Sequence, residues 1–136
     1  MMERELQERL LKLATEARER AYTPYSHYNV GAALLTKDGK IYQGCNIENA
    51  SYTPTICAER TAFFKAIYDG ERDFSAIAII GSGVTPSFPC GVCRQVMSEF
   101  CGGDFVLIVS NRDGSEIIVE TLDQMMPHRF GPKDLL

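Results

Sequence analysis

Leu6, Leu10, Leu13, Ala14, Ala17 and Ala21 recur at helical spacing with Glu, Arg, Lys and Gln between them. The pattern predicts an amphipathic helix over roughly Glu3–Tyr22, stopped by Pro24. Tyr28–Thr36 and Ile41–Asn46 read as strands around Lys37-Asp38-Gly39-Lys40, where Asp-Gly is a strong hairpin signal. From Cys57 to Tyr68, the residues Ala62, Phe63, Ala66 and Ile67 return to helical spacing, and Asp69-Gly70 supplies a stop. Phe74–Gly81 is an apolar strand. Cys90–Cys101 places Cys93, Val96, Met97 and Phe100 along one helical face, ended by Gly102-Gly103. Phe105–Ser110 and Glu116–Thr121 are further strands, the first a continuous apolar run of the kind buried on both faces. A short helix over Leu122–Met126 stops at Pro127. This order predicts an α/β fold: one mixed sheet with helices on both faces.

Composition narrows the function class. The 136 residues, 45% of them hydrophobic, suffice for one domain spanning 1–136 with its own core. A formal net charge of -4 argues against a surface that neutralises nucleic-acid phosphates, so a small uncharged ligand suits the chain better. No window approaches the eighteen or so apolar residues of a membrane span, and Met1-Met2-Glu3-Arg4-Glu5-Leu6 has no apolar leader core. The five cysteines are odd in number, and three have metal-ligand spacing, which fits a reducing compartment. A cytoplasmic location is expected, with neither nucleic acid nor membrane as partner.

The chemistry concentrates in Cys57-Ala58-Glu59 and Pro89-Cys90-Gly91-Val92-Cys93. Three thiolates supply fewer than the four protein ligands of a closed structural zinc site, which leaves a position for water, and a neighbouring carboxylate can move that water's proton. The order Cys-x-Glu followed by Pro-Cys-x-x-Cys is the general pattern of zinc deaminases. Both motifs fall where a loop enters a helix, and the free N–H groups of a helix start stabilise a thiolate. One competing reading is a structural zinc completed by Cys45, Cys101, His27 or His128. Another makes Cys90 and Cys93 a redox dithiol, which leaves Cys57 idle. Cys45 and Cys101 read as small buried hydrophobes.

The chain resembles cytidine deaminase in its small-subunit, three-cysteine form. The resemblance runs through Pro24–Ala33, Gly44–Ala50, Cys57–Ala62, Pro89–Gln95 and Phe130–Leu135, in the family's order. It implies a three-layer sandwich with a mixed five-stranded sheet covered by helices on both faces, assembled as a homotetramer whose subunits share their pockets. It implies one Zn2+ per subunit on Cys57, Cys90 and Cys93, with the Arg60 guanidinium hydrogen-bonded to the ligand sulfurs; Arg94 is a looser candidate for the same task. Glu59 would take the water's proton, deliver it to the pyrimidine ring nitrogen, and later protonate the departing amino group so that ammonia leaves and uridine remains.

Substrate contacts follow from the other matching blocks. Asn46 and Glu48 would hold the ribose 3'-hydroxyl, the Ala58 backbone N–H would meet the base carbonyl, Tyr28 would pack on the pyrimidine face, and Phe130 would reach a neighbouring subunit's pocket. Taken alone, Asn46-x-Glu48 reads as turn and cap chemistry, an aromatic at a strand start as core, and Phe130 as packing within its own chain. The chain departs from the family's usual pattern at Phe88, Val92 and Tyr28. The expected reaction is hydrolytic deamination of cytidine and deoxycytidine in pyrimidine salvage. The alternatives are another aminopyrimidine such as blasticidin S, or a non-catalytic zinc-stapled interaction domain.

Overall fold

A computed structural model describes residues 2–136; Met1, the first residue of the N-terminal segment read above, lies outside them. The elements follow the order α1 (Arg4–Arg18), β1 (Gly31–Thr36), β2 (Ile41–Cys45), α2 (Ala58–Tyr68), β3 (Phe74–Ile80), α3 (Gly91–Phe100), β4 (Val106–Ser110), β5 (Ile117–Thr121), α4 (Leu122–Met125) and a short 3-10 helix (Pro132–Asp134). The strands form one sheet in the order β2-β1-β3-β4-β5. Only β3 and β4 run parallel, joined by α3 as crossover. The pairs β1–β2, β1–β3 and β4–β5 are antiparallel. The mixed five-stranded sheet flanked by helices matches the expected architecture.

Strand alternation explains the two helical layers, because successive side chains of one strand point to opposite faces. On one face Ala32, Leu34, Ile77, Ile79, Leu107 and Val109 pack with Ala62, Phe63 and Met97 of α2 and α3. On the other, Ala33, Leu35, Ala76, Ala78, Ile80 and Ile108 receive Leu10 and Ala14 of α1. Small residues bring α1 close. A Cβ built on Gly31 would stand 1.9 Å from the Ala14 carbonyl oxygen, so only glycine lets this helix and strand touch.

Two expected boundaries shift by three residues or more, each for a hydrogen-bonding reason. The first helix ends at Arg18 rather than Tyr22. Tyr22 instead gives its backbone to the turn after β2, donating to the Asn46 carbonyl at 3.0 Å and accepting from Glu48 N–H at 2.9 Å. The first strand starts at Gly31 rather than Tyr28. The Asn46 side chain takes the backbone there, accepting from Val30 N–H at 2.9 Å and donating to the Tyr28 carbonyl at 2.8 Å. Tyr28 therefore sits on a loop, not at a strand start. The 3-10 turn over Pro132–Asp134 has no counterpart in the sequence reading.

Candidate metal centre and active site

Two helix starts meet at the carboxyl end of β3. Helix α2 leads into β3 and α3 leaves it, so connectivity alone brings both N-termini to the same end of the sheet. Cys57 is the N-cap of α2, and Cys90 is the N-cap of α3, each with extended backbone; Cys93 follows in the first turn of α3. No side chain caps either helix. The unpaired first-turn N–H groups, that of Ala58 among them, therefore favour negative charge at the two helix starts where the sulfurs lie.

The three Sγ atoms lie within 4.8 Å of one another. Cys57 and Cys90 are 3.8 Å apart and Cys90 and Cys93 3.5 Å. A tetrahedral zinc with bonds of ~2.3 Å to each sulfur needs sulfurs about 3.8 Å apart, so the cluster fits that ion with little movement. None of Cys45, Cys101, His27 or His128 joins the cluster. The structure thus supplies three ligands and no fourth among the described residues, which counts against a closed structural site. All five cysteines are free, and the redox dithiol reading is displaced because Cys57 completes the set.

Electrostatics at the cluster favour a held anion. Arg60 Nη2 donates to Cys57 Sγ at 3.3 Å, one helical turn on, while its Nε is buried without a partner. Hydrogen bonds from the Cys93 thiol and from Arg60 pull the Cys57 thiol down to about 5, and the Cys57–Cys93 bond drives Cys93 upward. Glu59, in the first turn of α2, is only 4% exposed. Burial pushes its carboxyl up to about 7, aided by the negative Cys57. A carboxyl so placed exchanges protons near neutrality.

The remaining predicted residues are placed less uniformly. Glu48 accepts from the backbone N–H groups of Tyr25 and Ser26 at 3.0 and 3.1 Å, and from the Ser26 hydroxyl. Asn46 braces the loop before β1 as described. Both therefore perform turn chemistry in this chain, and each keeps spare hydrogen-bonding capacity: a second Asn46 amide N–H and further Glu48 lone pairs. Tyr28 directs its hydroxyl toward Ser87 at 3.4 Å, against Gly81 and Gly83. Phe130 is 57% exposed, so its ring does not pack into its own chain. Arg94 does not reach the sulfurs. Its Nε donates to the Pro89 carbonyl at 2.8 Å and its Nη1 to the Met125 carbonyl at 2.5 Å. Cys45 and Cys101 are partly rather than fully buried, and burial raises both thiols, Cys101 to about 12.

The sequence reading passed over Gly44, where a Cβ would stand 2.3 Å from the Ala58 carbonyl oxygen, and aimed Arg94 at the sulfurs instead of at the Pro89 and Met125 carbonyls. A glycine inside a strand signals a close backbone approach, and that signal was present at Gly44. Nothing in the sequence separates the Arg94 contacts from an ordinary helix charge.

A mixed sheet that aims two helix starts at one three-thiol cluster, with a buried carboxylate on the same helix turn, defines a zinc-dependent hydrolase. Residues 4–109 match the model of the family described as "Cytidine and deoxycytidylate deaminase zinc-binding region", and the chain belongs to that family. A cytidine deaminase of Sporosarcina psychrophila is 50% identical over 128 residues, covering 94% of this chain and 93% of the relative. The crystal structure of cytidine deaminase from Burkholderia pseudomallei superposes with a TM-score of 0.87 at 44% identity, covering 95% of this chain and all of that one (100%). A blasticidin-S deaminase of Bacillus cereus is 30% identical over 129 residues, 89% of each chain. No helix among the described residues is long and apolar enough to cross a membrane.

Proposed function

We propose that this chain, as a single domain, deaminates free cytidine and deoxycytidine to uridine and deoxyuridine with release of ammonia, serving pyrimidine salvage. One observation carries the reading: three sulfurs within 4.8 Å of one another at two helix N-termini, with buried Glu59 two residues beyond Cys57. Cys57, Cys90 and Cys93 would hold the zinc, and Arg60 and the two helix starts would offset their charge. When bound, the ion supplies Lewis acidity that makes water a nucleophile near neutral pH. Glu59 takes one proton from the attacking water and passes it to the pyrimidine ring nitrogen next to the amino-bearing carbon, then takes the second proton from the added hydroxyl and delivers it to the exocyclic amine, which leaves as ammonia while the oxygen becomes the new carbonyl. One carboxyl serves every proton transfer because its burial keeps it from competing water.

Substrate orientation follows from the same helix start and the neighbouring loops. The Ala58 N–H, at the first position of α2, would donate to the base carbonyl. Ala58 is fully buried and small, which leaves room for a ring. The spare groups of Asn46 and Glu48 would hold a ribose hydroxyl, and Tyr28, already braced by Asn46, would cover the base face. A homotetramer fits the outer surface. A cavity of about 530 Å³ on the α2–β2 flank is lined by Tyr42, Ile47, Ile56, Phe64 and Tyr68, and the Tyr68 side of α2 is bare, at 91% exposure. Exposed Phe130 would complete a neighbour's pocket. Free thiols throughout support a reducing compartment, the cytoplasm.

A second reading, deamination of another aminopyrimidine, is favoured by the blasticidin-S deaminase relative. Incubating zinc-loaded protein with cytidine, deoxycytidine, cytidine monophosphate and blasticidin S, and following the ultraviolet absorbance loss, separates the two. Turnover of the two nucleosides well above the other compounds is expected. Turnover confined to blasticidin S or to the nucleotide would replace the first reading.

A further inference from the structure

Of the three clustered cysteines, Cys93 is buried and Cys57 half-buried, whereas Cys90 is exposed. Packing therefore fixes two of the sulfurs and leaves the third to be fixed by something else. Arg94 grips the backbone on both sides of it. Its main-chain N–H donates to the Cys90 carbonyl at 3.0 Å, and its side-chain Nε donates to the carbonyl of buried Pro89 at 2.8 Å. The Pro89 carbonyl belongs to the peptide plane whose nitrogen is that of Cys90, so restraining it sets the direction of the Cys90 Cα–Cβ bond.

The same guanidinium also reaches out of the metal loop. Nη1 donates to the Met125 carbonyl at 2.5 Å, at the end of the four-residue helix α4. A planar fork can bind two carbonyls at once in fixed geometry, which one ammonium cannot. We infer that Arg94 is a positioning residue that holds Cys90 in ligand geometry by bracing the Pro89–Cys90 peptide against the carboxyl end of α4. Its charge is spent on two backbone carbonyls and not on the sulfurs, which distinguishes it from Arg60. Neighbouring Gln95 tethers the same C-terminal segment, donating to the Phe130 carbonyl at 2.9 Å, and its side chain makes no hydrogen bond to the metal loop.

The inference rests on reading the three cysteines as the zinc ligands, and the test separates the two. Zinc affinity is measured by competition with a chromogenic chelator for the parent, for Arg94→Met, which keeps the aliphatic stem, and for Gln95→Ala. Arg94→Met is expected to raise the zinc dissociation constant at least about tenfold, as removal of partners that orient metal ligands does, with Gln95→Ala within twofold of the parent. Should Arg94→Met not fold, Arg94→Lys takes its place with the same expectation, since it restores charge but not the fork. An arginine variant that binds zinc as tightly as the parent overturns the inference, as does an equal loss in both helix variants. A parent that binds no zinc overturns the ligand reading instead.

Discussion

Gly44 of β2 lies directly under Ala58 at the start of α2: a Cβ built at position 44 would stand 2.3 Å from the Ala58 carbonyl oxygen and 2.6 Å from Ala62 N. Both obstacles are backbone, so no side chain can swing aside. Gly44→Ala must lift the first turn of α2, which carries Cys57 and Glu59 with it. Overpacking of this kind costs about 1–3 kcal/mol. A denaturant melt should show that loss, and chelator competition should show weakened zinc binding; a variant equal to the parent in both would mean that the helix start is not fixed by this contact.

Much of this arrangement was legible from residue order. The hairpin at Asp38-Gly39, the two motif-bearing helices and the apolar strands β3 and β4 were readable because local pattern and burial agree there. Cys57 and Cys90 stand where helical apolar spacing begins, and they cap α2 and α3. The segment from Glu19 to Val30 was not readable. Its course depends on long-range bonds from Asn46 and Glu48 to Tyr22, Tyr28 and Val30, and the Tyr22–Ile47 bridge outcompetes continued helix. Arg94 failed for the same reason: its acceptors are backbone carbonyls, one of them 31 residues away.

Glu59→Gln should retain zinc, because the carboxyl is not one of the clustered ligands, and lose at least about 10³ in kcat. The amide preserves volume in a buried site and removes only proton transfer. Metal analysis alongside steady-state cytidine kinetics checks both parts. Near-parent turnover in zinc-loaded variant would take Glu59 out of the reaction.

Zinc held by the three cysteines would hold the fold together as well as run the chemistry, since it would staple the starts of α2 and α3, more than thirty residues apart in sequence. Structural zinc in small peptides contributes roughly 10–16 kcal/mol, comparable with the ~5–15 kcal/mol stability of a whole domain. Strong chelation is therefore expected to lower the melting temperature by many degrees, with restoration on adding zinc back. An unchanged melt after verified metal removal would confine the ion to catalysis.

Cys101 gives a pH dependence of known sign. Burial lifts its thiol from the ordinary value near 9 to about 12, so the folded state keeps the proton that the unfolded chain releases. Its contribution is complete below about pH 9 and is lost as pH climbs from 9 toward 12, at no more than about 1.4 kcal/mol per pH unit. Stability of the parent should fall relative to Cys101→Ala across that window and run parallel to it below pH 8. Parallel curves throughout, from urea melts at each pH, would show that this thiol ionises as readily folded as unfolded.

Arg60 supplies the last test, because among the described residues its guanidinium is the one cation hydrogen-bonded to a clustered sulfur, at 3.3 Å from Cys57 Sγ. Three thiolates on a divalent ion leave the site with a net negative charge, and the two helix N-termini offset only part of it. Arg60 is half-buried and its Nε has no other partner, so its interaction with the sulfur is screened less than a surface pair would be. Arg60→Gln keeps a hydrogen-bond donor and removes the charge, which isolates the electrostatic part. Zinc affinity or kcat should fall by about 10–100-fold, and Arg60→Lys should recover part of the loss. If the glutamine variant matches the parent in both measurements, the helix starts alone balance the cluster and Arg60 serves only as packing.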